Sequence, residues 1–288
     1  MDFGVIVVLQ VLVAIAHLAL ISIGLAVIFG MMRVINLAHG EFLMLGGFTV
    51  VIAANHGVNL WVAMLIAAPI VVGLIGIVVE RLVIRYLYGR MVDTMLATWG
   101  LSLLIVGAMT MTFGNTTRGV SAPLGSVAIG RYQSSIYELT LVLAAAALFA
   151  IAYLLFRFTR LGLIARATMQ NAEMADSLGI STDFVYAVTF GIGAALSGLA
   201  GGLLAPLTGV LPTIGVAYVA KAFITVISGG AAVLAGTASA SALLGTLDTV
   251  ATFIATPVVG EMTLLIAAVV LLRLLPEGIT GRFLRRAS

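Results

Sequence analysis

The chain has 288 residues, of which 62% are hydrophobic and only 9% charged, and its formal net charge is +3. Soluble domains carry about 25% charged residues, so a wholly water-exposed fold is excluded and lipid must solvate much of this surface. The absence of cysteine removes disulfides, thiolate metal sites and cysteine nucleophiles, and the basic residues are scattered between apolar runs instead of forming a nucleic-acid patch.

The first residues, Met1, Asp2 and Phe3, lack the basic start and small-residue cleavage site of a signal peptide, so the apolar run 5–29 reads as a retained first span. A crossing helix needs roughly 20 apolar residues. On that measure further spans are predicted at 34–54, 60–79, 94–113, 139–156 and 184–204, then apolar stretches at 207–228, 231–255 and 262–275. The stretch 207–228 holds Pro212 and Gly215 and is expected to be broken or re-entrant, which membrane depth tolerates only where protein or a wet cavity satisfies the freed backbone. The fold class is therefore all-α, a polytopic transmembrane protein of eight to nine spans with discontinuous or re-entrant segments. Residues 1–288 form a single membrane-embedded domain, and the loop 114–138 is too short for a soluble module.

Arginine placement sets the orientation. Arg81, Arg85 and Arg90 share one connection, Arg157, Arg160 and Arg166 another, and Arg282, Arg285 and Arg286 crowd the C-terminus, against only Arg118 and Arg131 in the loop between 113 and 139. Placing the three clusters in the cytoplasm puts the N-terminus outside and the C-terminus inside, which requires an odd number of crossings and fits nine.

Three polar features interrupt the apolar pattern. In the first, Asn36, His39 and Glu41 follow Arg33 and fall within or beside the inner leaflet. Ionisable residues there are costly and mark a pathway or a paired site, and Gly40 allows a close approach or a helix break. Asn36 as a simple helix cap and Glu41 as a structural pair are equally open readings. The second feature is the connection 157–183. Ile164, Ala167, Asn171, Ala175 and Leu178 recur at helical spacing, with Gln170, Glu173 and Asp176 on other faces, Gly179 as a C-cap, and Ser181 and Asp183 as caps of the next span. It reads as a short amphipathic helix, either a solvated connector or a docking helix for a partner subunit. The third is Gly229-Gly230 to Gly236, preceded by Lys221, the only lysine. A glycine-rich break here echoes the one at Gly40, as expected where discontinuous helices build a midplane site. Lys221 faces that cavity, pairs with an acid such as Asp248, or snorkels.

Several chemistries have no carrier in the sequence. Lys221 sits between Ala220 and Ala222, so no P-loop is present to cradle nucleotide phosphates. No zinc-protease or nucleophile-elbow motif occurs, and three histidines, His17, His39 and His56, make a poor metal site. No catalytic residue, metal or cofactor is expected. A stand-alone secondary transporter coupled through Glu41, Lys221 and Asp248, or a membrane enzyme using His39 and Glu41, would be the competing classes.

Residues 35–42 (Ile-Asn-Leu-Ala-His-Gly-Glu-Phe), 170–180 (Gln-Asn-Ala-Glu-Met-Ala-Asp-Ser-Leu-Gly-Ile), and Gly229-Gly230 with Leu275-Pro-Glu-Gly278 resemble the permeases of bacterial ABC importers for branched-chain amino acids and for urea or short-chain amides. The likeness runs in order over nearly the whole chain. It implies an inner-membrane importer with a homologous second permease, two cytoplasmic ATPase subunits and a periplasmic or lipid-anchored substrate-binding protein, with no nucleic acid. It also implies that a segment of about 163–181, with Asn171, Glu173, Asp176 and Gly179, couples to the ATPase. From the polar and glycine interruptions themselves, Asn36, His39, Gly40, Glu41, Lys221, Gly229 and Gly230 are the candidate pathway or broken-helix residues. Residues 93–102 resemble the urea branch and Ala220-Lys-Ala-Phe223 the amino-acid branch. Ala231-Ala232 stand where such permeases usually show another glycine. Branched-chain amino acids are the expected substrate, with urea or a short amide as the alternative.

Overall fold

A computed structural model of the chain describes residues 2–129, 132–230 and 232–284; Arg131, Ala231, Arg285 and Arg286 of the sequence reading lie outside the described residues. The helices are α1 (Asp2–Met32), α2 (His39–Asn55), α3 (Leu60–Val62), α4 (Ala68–Leu82), α5 (Met91–Phe113), α6 (Ile136–Phe158), α7 (Arg160–Gln170), α8 (Ala172–Ser177), α9 (Thr182–Thr208), α10 (Ile214–Gly229), α11 (Val233–Ile254), α12 (Pro257–Leu274) and α13 (Gly278–Leu284). A π-helical turn, Ala63–Ala67, joins α3 to α4, so the apolar run Leu60–Leu82 is one helix with a widened turn inside it. Among the described residues, seven helices are long and apolar enough to cross a membrane, and α2 and α10 are shorter, at 17 and 16 residues. The loop expected at 114–138 contains a small antiparallel hairpin, β1 (Ser126–Ile129) with β2 (Tyr132–Ser135), pairing Ser126 with Ser135 and Val127 with Ser134. Its strands are too short and too polar to stand out against a loop in sequence.

The chain forms two compact units. One comprises Ile23–Val120 and Ile151–Ala220. Burying an apolar side chain against a neighbouring helix gains little over lipid, so close backbone packing holds membrane helices together. Here α9 is the central element, packed on α2 and α4. A side chain on Gly46 would strike the Gly198 backbone, and one on Gly201 would strike the Leu43 backbone. Large side chains fill what these contacts leave: Ile28, Phe42, Val72 and Phe190 form one cluster, with Phe42 edge-on to Phe190 at 6.0 Å, and Met44, Phe48, Ile105 and Ala205 another.

The other unit comprises Met1–Ser22, Ser121–Ala150 and Lys221–Ser288. Its α11 and α12 form a hairpin. The turn is made by Thr256, whose side chain accepts from Val259 N–H at 3.4 Å, with Pro257 as the first helical residue, a position where the missing proline N–H costs nothing. Gly260 packs against the Asp248 backbone and the Thr252 hydroxyl, and Gly245 against the backbone of Ala14 and Ile15.

Candidate functional site

In the first unit the sequence break at Arg33 is a real interruption. Arg33 takes a left-handed backbone (φ 52) and ends α1, and helix resumes at His39. The exposed backbone between them is satisfied locally and from α5. Asn36 Oδ1 accepts from Ala38 N–H at 3.0 Å, and its carbonyl accepts from His39 N–H at 3.2 Å. Leu37 N–H donates to Thr98 Oγ1 at 3.1 Å. The fully buried residues of α5 are Thr94, Thr98, Ser102 and Ile105, a stripe at i, i+3 and i+4 spacing turned toward this break. That polar stripe was not read from the sequence, although its spacing is visible there.

Asn36, His39 and Glu41 are all buried, at 0%, 0% and 1% exposure. Glu41 Oε1 accepts from Ser102 Oγ at 2.6 Å, and His39 Nδ1 lies 3.3 Å from Ser197 Oγ. Glu41 Oε2 and Asn36 Nδ2 have no hydrogen-bond partner among the described residues. Gly40 meets Gly215 backbone to backbone, and a side chain at Gly215 would collide with the Glu41 carboxyl. Gly215 lies in the first turn of α10, directly after a second break, 209–213. That break is held by a two-way bridge: Arg118 N–H donates to Val210 O at 2.9 Å, and Val210 N–H to Arg118 O at 2.6 Å. Helix starts therefore meet at Gly40 and Gly215. The expected interruption of 207–228 falls before α10, and the close counterpart of Gly40 is Gly215, not the glycine pair at 229–230.

The segment 163–181 is not one helix. Helix α7 stops at Gln170, Asn171 takes an extended backbone (φ −152), and its side chain caps α8 by accepting from Met174 N–H at 2.9 Å. The expected face does not carry across the break: Ala175 is buried, Ala167, Asn171 and Leu178 are exposed, and α7 buries Gly162, Ala165 and Thr168 instead. Gly179 (φ 82) closes α8, with its N–H on Asp176 O at 2.8 Å and Ile180 N–H on Ala175 O at 3.1 Å, the reverse turn for which glycine is favoured. Glu173 and Asp176 are exposed and Ala175 is buried. Ser181 precedes α9 without a side-chain cap, and Asp183 instead pairs with Arg85 at 2.7 Å. A cavity of about 400 Å³ lies against Glu173, Asp176 and Thr182, and one of about 330 Å³ against Glu80, Arg81 and Phe184, with Ser181 and Asp183 lining both. Beside them Tyr88 donates to Glu80 Oε1 at 2.6 Å and stacks on Tyr186 at 4.4 Å. Burial, and then the Glu80 carboxyl, pushes the Tyr88 phenol above its ordinary value, so it remains a donor.

In the second unit Gly229 and Gly230 form the turn between α10 and α11. Gly230 (φ 82) packs on the backbone of Glu277 and Gly278, and Gly229 on Gly236. Thr280 Oγ1 donates to Gly229 O at 2.7 Å and accepts from Ala232 N–H at 3.0 Å. The separate motifs around Gly229-Gly230 and 275–278 thus lie in two connections that pack against each other. Lys221 pairs with Glu261 at 2.6 Å. Asp248, the acid expected from the sequence, does not make this bond; its Oδ1 lies against Gly260 instead. Glu261 won because Thr256 and Gly260 bring the start of α12 against α11.

The family model for "Branched-chain amino acid transport system / permease component" matches residues 7–275. The chain is 29% identical over 282 residues to the high-affinity branched-chain amino acid transport system permease protein LivH of Escherichia coli (strain K12), covering 92% of this chain and 91% of that protein. It is equally similar to the LivH protein of Salmonella typhimurium, 29% over 282 residues with the same coverage. To the corresponding BraD protein of Pseudomonas aeruginosa it is 31% identical over 253 residues, 80% of each chain. No solved structure shows a significant match.

Proposed function

The chain belongs to the branched-chain amino acid transport system permease family, and from that premise we propose that it is the conducting subunit of an ABC importer that carries branched-chain amino acids into the cell. It is a multi-pass membrane transport component. The observation that carries the proposal is the reach of the family match, 7–275, which includes both the broken-helix segment and the segment around α8.

On this reading a homologous second permease completes the pathway, a periplasmic or lipid-anchored binding protein delivers substrate, and two ATPase subunits supply the energy. The exposed Glu173, Asp176 and Met174 of α8 and the two cavities beside it support this end of the unit as the ATPase dock. The arginine distribution supports placing it in the cytoplasm with the C-terminus, and the N-terminus outside. The buried group Asn36, His39, Gly40 and Glu41 then acts as a scaffold that fixes the two helix starts. A urea or short-amide permease of the same kind is the second reading, favoured by the likeness of residues 93–102.

The test is uptake by cells carrying the whole importer, with this chain's gene deleted and restored. Restoration of leucine uptake is the expected result. Restoration of acetamide or urea uptake without leucine would select the second reading.

A further inference from the structure

Charged side chains are rare in the second unit, and three of them gather on its apolar helices. Lys221 is in the middle of the sixteen-residue α10, Asp248 lies in α11 and Glu261 in the first turns of α12. Lys221 Nζ bonds Glu261 Oε1 at 2.6 Å, and Asp248 Oδ1 lies against Gly260, the residue before Glu261. Gly260, which has no side chain to hold α12 away, packs directly on the Asp248 backbone and so sets the next residue, Glu261, beside the same spot.

The pair is not sealed. The Lys221 and Glu261 side chains are 30% and 60% exposed, and the α12 residues at i−3, i+1 and i+4 from Glu261, Val258, Met262 and Leu265, are exposed as well. An ion pair facing hydrocarbon is expensive, and ionisable groups in spanning helices face a protein interior or a wet cavity. We infer that Lys221, Glu261 and Asp248 form a station on the transport path that reads the two charges of a zwitterion. The α-carboxylate takes a charge-assisted bond from Lys221 Nζ, and the α-ammonium donates to Glu261 and Asp248. The apolar side chain of the solute rests on the surrounding valine, leucine and methionine. Because the site offers both signs, it neither traps a single ion nor repels a zwitterion. An uncharged amide would gain nothing from it. This inference rests on the amino-acid reading above.

The test uses the whole importer carrying Lys221→Met/Glu261→Gln, a double change that removes both charges of the bonded pair together. The expected result is membrane assembly with the ATPase at wild-type level and leucine uptake reduced on the order of tenfold or more, as loss of a charged hydrogen bond implies. Leucine uptake within about twofold of wild type would overturn the station while leaving the amino-acid reading standing. Wild-type uptake of acetamide and not leucine would overturn both. A second measurement does not depend on the double variant folding. The sequence has no cysteine, so Met262→Cys carries a single thiol next to the pair. Leucine is expected to slow its reaction with a charged thiol reagent in the assembled importer, and acetamide is not. An unchanged reaction rate at saturating leucine would overturn the station.

Discussion

Two acidic residues of the apolar helices, Glu41 and Glu261, meet opposite solutions. Glu41 is 1% exposed and bonds a serine hydroxyl, within a unit whose helices touch backbone to backbone. Glu261 is more than half exposed and bonds a lysine. A sealed carboxyl with a neutral partner cannot meet a solute without the packing opening, and the scaffold role proposed for Glu41 at the α2 and α10 starts follows from that. An open ion pair can meet a solute. On the proposed reading the difference would separate a residue that shapes the fold from one that meets the solute, a distinction that residue type alone does not make.

Measuring membrane-inserted protein and leucine uptake together would sharpen this contrast. The largest effect on inserted protein is expected for Glu41→Leu, which leaves Ser102 Oγ buried without its acceptor and costs about 1–3 kcal/mol, with uptake falling in step. Gly215→Ala should do similar damage, since the added carbon meets the Glu41 carboxyl and the Gly40 backbone, at about 1–3 kcal/mol of overpacking. Glu41→Gln keeps the size and an acceptor, and should retain partial transport. If Glu41→Leu inserts normally and loses only uptake, the contrast is broken and Glu41 belongs to the pathway.

At the α8 end the expected pattern is the reverse, with uptake lost and insertion kept. Glu173→Arg reverses an exposed charge at the proposed dock, where a mismatch with the partner costs binding. Gly179→Val forces a β-branched residue into a left-handed backbone. Normal uptake by either variant at equal protein level would remove the docking role. Smaller still is Tyr88→Phe, which deprives the buried Glu80 of its donor and should lower thermal stability by about 1–2 kcal/mol. The smallest effect belongs to Arg85→Ala. Its pair with Asp183 is exposed at 39% and 66%, and such pairs contribute about 0–1 kcal/mol, so a melting shift beyond a few degrees would contradict that ranking.

Much of this architecture is legible in the sequence because lipid imposes a simple rule on composition. The apolar runs starting near residues 5, 60, 94, 139 and 184 are helices within a few residues of their expected ends, and Arg33 and Gly179 mark real ends of helix. What the sequence did not disclose are partnerships. Nothing local says that Glu41 will find Ser102, 61 positions away, or that Lys221 will prefer Glu261 over Asp248, because these depend on how the breaks and the Gly260 contact set the helices against each other. Helix continuity was also hard to read. The spacing through Asn171 looks unbroken, yet its side chain caps a new helix, and nothing in the apolar run 60–79 announces the π-turn at Ala63–Ala67.

The central claim, a conducting subunit for branched-chain amino acids, is tested most directly by reconstitution. The chain would be purified with its partner permease and ATPase subunits, placed in liposomes with the binding protein, and assayed for accumulation of labelled leucine. ATP-dependent accumulation that is lost when this chain is omitted is the predicted result. Leucine accumulation that proceeds without ATP or without ATPase subunits would contradict it.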